Sequence, residues 1–301
     1  MIKNCTRCGR EKSIYFRPYS GERICSKCFN ETITEKVKRT INRFNMFEYD
    51  NRIAIGVSGG KDSLALLKIL WEIEQDKPKS ELIAISIDEG ISGYRDEALR
   101  IAKRYCKEFD VEVYIASFQE LFNETMDEIA ERDRELGTCS YCGVLRRKAL
   151  NLAAKEVSAD RLATGHNLDD MAQSVILNIL RGDIQRIEGF EPGGKDMETF
   201  VRRVKPLCEI PEKETTFYAY INDLEFQNIS CPYASEAMRN DVRQFLNMME
   251  VKRPGIKYIV YQTGVKLRPE DLEPQIINRC QICDAPTTGN ICRTCELTKK
   301  E

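Results

Sequence analysis

The chain has 301 residues, with 46 Lys and Arg against 48 Asp and Glu, a formal net charge of −2 and an apolar fraction of 42%. This length fits one large domain with small appendages, and the near-zero charge excludes a protein that holds nucleic acid by bulk charge, so any RNA surface must be local. The opening MIKNCTRC has no apolar signal core and no later run reaches the length of a membrane span, so a cytoplasmic protein without a membrane partner is expected.

There are thirteen cysteines and one histidine, His166. In a chain without a signal peptide such cysteines are better read as metal ligands than as disulfides. The first element carries Cys5-x-x-Cys8, sixteen residues, then Cys25-x-x-Cys28, a four-cysteine zinc pattern. Its counterpart near the other end is Cys280-x-x-Cys283, eight residues, then Cys292-x-x-Cys295, with Gly289 in the compact turn. A unit below about 40 residues cannot build an adequate apolar core, so two Zn²⁺ ions are the physical reason for these cysteines. The ribbons either staple the ends, touch RNA, or do both.

The expected organisation is an N-terminal zinc ribbon (1–31), a basic linking helix (32–50), a nucleotide-binding domain (51–230), a helical extension (231–272) and a C-terminal zinc ribbon (273–301). The helix is predicted over 32–47, with Val37, Ile41 and Phe44 on one face and Lys36, Lys38, Arg39 and Arg43 largely away from it. Strands follow at 52–57, 81–88, 111–118 and 161–166, separated by helices at 63–74, 94–109, about 144–155 and about 168–180. This alternation predicts an α/β fold with a doubly wound, mainly parallel sheet, whose ligands bind beyond the carboxyl ends of the strands.

Between the first of these strands and its helix lies Gly56-Val57-Ser58-Gly59-Gly60-Lys61-Asp62-Ser63. Adjacent glycines permit a tight turn that aims backbone amides at an anion, and the helix N-terminus adds its dipole. Ser58 and Ser63 add hydroxyls and Lys61 a cation. The spacing is not that of a Walker loop, since Ile55 stands where its first glycine belongs and Asp62 follows the lysine. A carboxylate beside phosphate needs a metal, which points Asp62 at Mg²⁺. Ser58 to Ser63 (SGGKDS) resembles the loop of the PP-loop, or N-type, ATP pyrophosphatases, which use ATP to adenylate a carbonyl oxygen before a nucleophile displaces AMP. A second element similar to that superfamily is Gly165-His166-Asn167-Leu168-Asp169-Asp170. Capping accounts for Asp169, while the resemblance points to Asp170 as a catalytic or metal-linked carboxylate. His166 reads as a hydrogen-bonded residue at a strand end.

Cys139-Ser-Tyr-Cys142, followed by Arg146, Arg147 and Lys148, and the distant Cys231 before Pro232 provide three more thiols. Three thiolates can hold three irons of a four-iron cluster and leave one iron open. They can equally form a third zinc site with Cys208 or His166, a redox or persulfide pair, or structural thiols. Taken together, the terminal ribbons, SGGKDS, C-x-x-C-G with its basic residues, GHNLDD and the later C-P resemble the TtuA/TtcA family of tRNA thiolation enzymes over nearly the whole chain. More narrowly, they resemble its ribbon-bearing branch, which includes archaeal and eukaryotic cytosolic members. That resemblance implies ATP-dependent 2-thiolation of a tRNA uridine, with the wobble base favoured over the T-loop. It implies ATP on residues 56–63, Gly165 and Asp170, and a [4Fe–4S] cluster on Cys139, Cys142 and Cys231. Asp62, Arg146 and Asp170 would assist the chemistry, a sulfide, persulfide or thiocarboxylated ubiquitin-like carrier would donate sulfur, and the chain would be a homodimer. A lysine is familiar in the family near Arg146, and arginine can stabilise phosphate but is a poor proton acceptor. RNA is expected to cross Lys36–Arg43, Arg146–Lys148, Arg202–Lys205 and Lys252–Lys257. An amine-using PP-loop ligase with three zincs, or a ribbon scaffold with a vestigial nucleotide site, are the competing readings.

Overall fold

Strand β3 (Arg52–Gly56) sends Ile53 and Ile55 into one core and Ala54 into the other. Its parallel neighbour β4 (Glu81–Asp88) does the reverse, with Ala84 on the first side and Ile83, Ile85 and Ile87 on the second. Strands buried on both faces read as continuous apolar runs, which is why RIAIG and LIAISI signal a parallel sheet. With β5 (Glu112–Ser117), β6 (Arg161–Ala163) and β7 (Arg202–Val204), the sheet has the order β5-β4-β3-β6-β7, all pairs parallel. The chain leaves β3 for β4 on one side and later returns to β6 on the other. The strand order therefore reverses at the carboxyl end of β3, where residues 56–63 lie. The computed structural model of the protein describes residues 3–132, 136–183, 190–196, 200–234, 239–267 and 278–298.

Helices α2 (Lys61–Glu74) and α3 (Arg95–Glu108) pack into the first core. The short α4 (Phe118–Phe122) and α5 (Met126–Glu131) join α6 (Thr138–Glu156) in the second. Helix α7 (Leu168–Leu180) follows β6, α8 (Glu212–Ile221) follows β7, and α9 (Arg239–Lys252) and α10 (Ile256–Lys266) pack on α7. No helix among the described residues is long and apolar enough to cross a membrane.

Four elements differ from expectation. Helix α1 (Ser26–Arg43) starts six residues before position 32, because the second zinc-type knuckle is itself the helix start, with Cys25 as N-cap. It stops before Asn45, whose φ of +45° leaves the helical region. Helix α6 likewise begins before 144, since Gly143 is interior to it rather than a break, and this puts Cys139 and Cys142 on its first turns. Strand β6 ends at Ala163 instead of His166. Arg202–Val204, read as an RNA-crossing segment, is the edge strand β7. Arg202 turns inward there, donating to the Gly193 carbonyl at 2.7 Å and pairing with Asp196 at 3.0 Å.

Both ribbons dock on the sheet domain. The hairpin of β1 (Tyr15–Arg17) and β2 (Glu22–Ile24) leads into α1. Tyr15 and Phe29 meet Phe217 of α8 with ring centroids 4.7 and 5.0 Å away. Arg17 forms an ion pair at 2.9 Å with Glu214, whose side chain is 0% exposed. The second ribbon has β8 (Asn278–Arg279), β9 (Pro286–Thr287) and α11 (Arg293–Thr298). Leu297 of α11 enters the α6 core, and its carbonyl accepts from Arg132 at 2.8 Å.

Candidate active site

Residues 56–63 form a turn closed on itself. Ser63 Oγ donates to the Gly60 carbonyl at 2.8 Å and accepts from the Ser58 amide at 3.1 Å, while Ser58 Oγ lies 3.2 Å away. Gly59 is required at φ +81°, where an added Cβ would stand 2.4 Å from the Ala98 carbonyl oxygen. The turn leaves the N-terminus of α2 uncapped by any side chain, so its amides remain available to an anion.

A cleft of about 270 Å³ opens at this turn. Gly56, Val57, Ser58, Asp62 and Ser63 form one wall and Thr164, Gly165, His166 and Asp170 another, and Glu89, Arg95 and Arg146 also line it. The second wall can come this close because Gly165 has no side chain, since a Cβ there would sit 3.0–3.1 Å from the backbone of Asp62 and Ser63. Lys61 does not point freely into the cleft. Its ammonium pairs with Asp62 at 2.7 Å and with Glu212 at 2.9 Å. Asp62 Oδ1 accepts from Asn167 at 3.1 Å and from the Thr215 hydroxyl. Asn167 belongs to the GHNLDD element, whereas Glu212 and Thr215 carry no motif signal. Glu212 lies 151 positions from Lys61, and only the assembled sheet brings the two together.

Asp170 is the N3 residue of a capping box with Asn167, accepting from that residue's amide at 3.2 Å, and it faces Arg239 at 3.6 Å. Burial, helped by the nearby carboxylates of Asp62 and Glu212, lifts its carboxyl to about 6. Asp169 is buried in an ion pair with Lys257 of α10 and accepts from the Glu212 amide at 2.8 Å. His166 Nδ1 lies 2.9 Å from Thr164 Oγ1. The cleft walls, then Lys205, Arg203, Arg239 and Arg147, push the partly exposed imidazole below its ordinary value, so it stays neutral near pH 7.

The central cysteines flank this cleft. Cys139 Sγ donates to the Tyr233 carbonyl at 3.0 Å, tying the start of α6 to the Cys231 loop. Cys142 and Cys231 both pack against the α6 core and are half-buried. Arg146, one turn after Cys142, places a guanidinium nitrogen 2.9 Å from Cys142 Sγ and lines the cleft at residues 56–63 as well. Buried Glu89 holds this guanidinium firmly charged despite the desolvation that opposes it. Cys208 lies in the other core beside the Tyr261 hydroxyl at 3.4 Å, so it is no partner for these three. Cys106, also buried, sits in that same core.

At the ends, Cys5, Cys8, Cys25 and Cys28 bring four sulfurs within 4.8 Å of one another, and Cys280, Cys283, Cys292 and Cys295 do the same. One zinc ion holds four thiolates at about 2.3 Å each, which demands such a gathering. Among the described residues no third gathering of that tightness exists, so Cys139, Cys142 and Cys231 are not arranged around a single small ion. Of the basic residues expected to face RNA, Lys36 is turned to the Tyr258 hydroxyl and Lys257 to Asp169, whereas Lys38, Arg39, Arg147, Lys252 and Arg253 are exposed.

A family model for the PP-loop domain matches residues 30–250. The tRNA 2-thiolation protein NcsA of Haloferax volcanii is 34% identical over 313 aligned positions, covering 97% of this chain and 97% of that protein. Cytoplasmic tRNA 2-thiolation protein 1 of Dictyostelium discoideum is 36% identical, covering 99% of this chain and 83% of that protein. Among solved structures, the U34-tRNA thiolase NcsA from Methanococcus maripaludis with its [4Fe-4S] cluster superposes with a TM-score of 0.88 at 35% identity. The alignment covers 99% of this chain and 96% of that one.

Proposed function

The chain belongs to the PP-loop tRNA 2-thiolation family, and from that premise we propose that it converts a tRNA uridine, the wobble base U34, to 2-thiouridine at the expense of ATP. The observation that carries the reading is the single cleft in which the anion-binding turn 56–63 and Arg146, in contact with Cys142, line the same space. Adenylation and sulfur transfer need that proximity, because the activated base must meet sulfur before water does.

ATP phosphates rest on the amides of Gly59 and Gly60 and the N-terminus of α2, with Gly165 admitting them closely. Arg146, and Lys61 once phosphate draws it from Asp62 and Glu212, oppose the negative charge that grows as uridine O2 attacks the α-phosphate and pyrophosphate leaves. Asp62 would hold Mg²⁺, which would supply further neutralisation of phosphate charge. Sulfur then adds at C2, the C2–O bond breaks, and the oxygen departs with AMP. Arg146 stays charged and cannot serve as a base. Asp170, lifted to about 6, is placed to accept a proton near neutral pH.

The donor chemistry of Cys139, Cys142 and Cys231 fits a cluster: three half-buried thiols with a fixed cation beside one of them. Bound there, a [4Fe–4S] cluster supplies one open iron position for exogenous sulfur. The sulfur comes from outside the chain, as sulfide, a persulfide or a thiocarboxylated carrier. Exposed Lys38, Arg39, Arg147, Lys252 and Arg253 support a path for the tRNA backbone. Exposed Phe245, Met248, Val251 and Ile259 support pairing of two copies.

Iron, acid-labile sulfide and zinc counted per chain after anaerobic purification test the reading. About two zincs with about four irons and matching sulfide are expected. About three zincs and no iron, even after reconstitution, would move the chain to an amine-using ligase.

A further inference from the structure

Arg146 approaches the cysteines from α6, but the group that holds it there belongs to no motif. Glu89 follows β4, and its side chain is 5% exposed. One carboxylate oxygen lies 2.7 Å from Arg146 Nε and the other 2.8 Å from Arg95 Nε. Arg95 in turn donates to the Ser58 carbonyl at 2.8 Å and to the Ile87 carbonyl at 2.6 Å. A single buried carboxylate thus separates two guanidiniums, one fastened to the nucleotide turn and the other 2.9 Å from Cys142 Sγ. Without it, two like charges would face each other across the cleft, and the more loosely held one would move.

The looser one is Arg146. Two backbone carbonyls hold Arg95 whether or not Glu89 is charged. The Arg146 side chain is 49% exposed, and among the described residues its partners are Glu89 and Cys142. We propose that Glu89 is a positioning residue for the reaction, clamping Arg146 between the cysteine group and the nucleotide turn. This rests on the function proposed above, in which Arg146 opposes charge on the reacting phosphate. Glu89 acts through Arg146 and need not touch substrate.

The test compares wild type, Glu89→Gln, Arg146→Gln and the double variant in steady-state 2-thiouridine formation. ATP affinity of each zinc-loaded, cluster-free protein is measured by calorimetry alongside. Glu89→Gln keeps the shape and removes the charge, and is expected to lower kcat by about tenfold or more while leaving the ATP Kd within about threefold. In the Arg146→Gln background the same change should cost less than about twofold, since the residue it positions is already gone. A kcat for Glu89→Gln within about twofold of wild type would overturn the proposal, as would its full factor reappearing in the double variant. An equal loss in ATP affinity would also overturn it, placing Glu89 with the nucleotide turn instead. If Glu89→Gln does not fold, Glu89→Asp retains the buried charge but withdraws it by one methylene, and an unchanged kcat there would count against the proposal equally. A wild-type chain that makes no 2-thiouridine removes the functional reading and this inference together. An active wild type with an indifferent Glu89 removes the inference alone.

Discussion

Asp170→Asn should stabilise the protein while inactivating it. Burial and the neighbouring Asp62 and Glu212 lift the Asp170 carboxyl from the ordinary 3.8 to about 6. In the unfolded chain the same group ionises at its ordinary value, so between these two pH values the folded protein binds the extra proton. Stability therefore falls as pH rises from about 4 to about 6, and at neutral pH the folded state carries an unfavourable charge. The full rise corresponds to about 3 kcal/mol. Asparagine keeps the shape and can still accept from the Asn167 amide, but forfeits the 3.6 Å pairing with Arg239. The net gain at pH 7.5 is then about 1–3 kcal/mol. Urea unfolding of both proteins, with equal zinc content, measures it. The advantage of Asp170→Asn should shrink by about 1.4 kcal/mol between pH 7.5 and pH 5, as the wild-type carboxyl takes up its proton. A variant no more stable than wild type at pH 7.5, or a gap independent of pH, would refute the electrostatic argument. Loss of thiolation by about 100-fold is expected in the same variant.

Three further outcomes follow from buried contacts. Glu214→Ala removes the carboxylate that pairs with Arg17 at 2.9 Å and leaves that guanidinium Glu22 at 3.4 Å and the Thr32 hydroxyl, and should cost about 2–4 kcal/mol in urea unfolding, with the N-terminal ribbon losing hydrogen-exchange protection first. Lys257→Met leaves Asp169 buried without its cation; it should destabilise by about 3–5 kcal/mol and weaken ATP binding, because Asp169 also holds the Glu212 amide beside Lys61. Gly59→Ala must push a methyl group against the Ala98 carbonyl at a φ of +81°, and calorimetry should find ATP affinity reduced by at least about tenfold.

What the sequence made legible were the features that short stretches encode by themselves. The anion turn 56–63 lies in one loop, each C-x-x-C pair spans four residues, and the apolar runs of β3 and β4 announce a sheet buried on both faces. What escaped was assembled from distant positions. Glu89 matters because β4 delivers it between α3 and α6, and Glu212 because α8 begins opposite the nucleotide turn. Neither residue differs in type or spacing from an ordinary solvated glutamate. Charge runs misled for the same reason. Lys36, Arg202 and Lys257 look like an RNA surface in one dimension, yet each finds an internal partner in three. The early starts of α1 and α6 were missed because cysteine pairs read as loops, whereas Cys28, Cys139 and Cys142 lie within helical turns.

Nucleoside mass spectrometry of tRNA incubated with the anaerobically reconstituted protein, ATP and sulfide tests the central claim most directly. Wild type should form 2-thiouridine with release of about one AMP and one pyrophosphate per sulfur inserted, and Cys142→Ala should form none while binding ATP with unchanged affinity. Thiolation by Cys142→Ala at the wild-type rate, or AMP release by wild type without any 2-thiouridine, would contradict it.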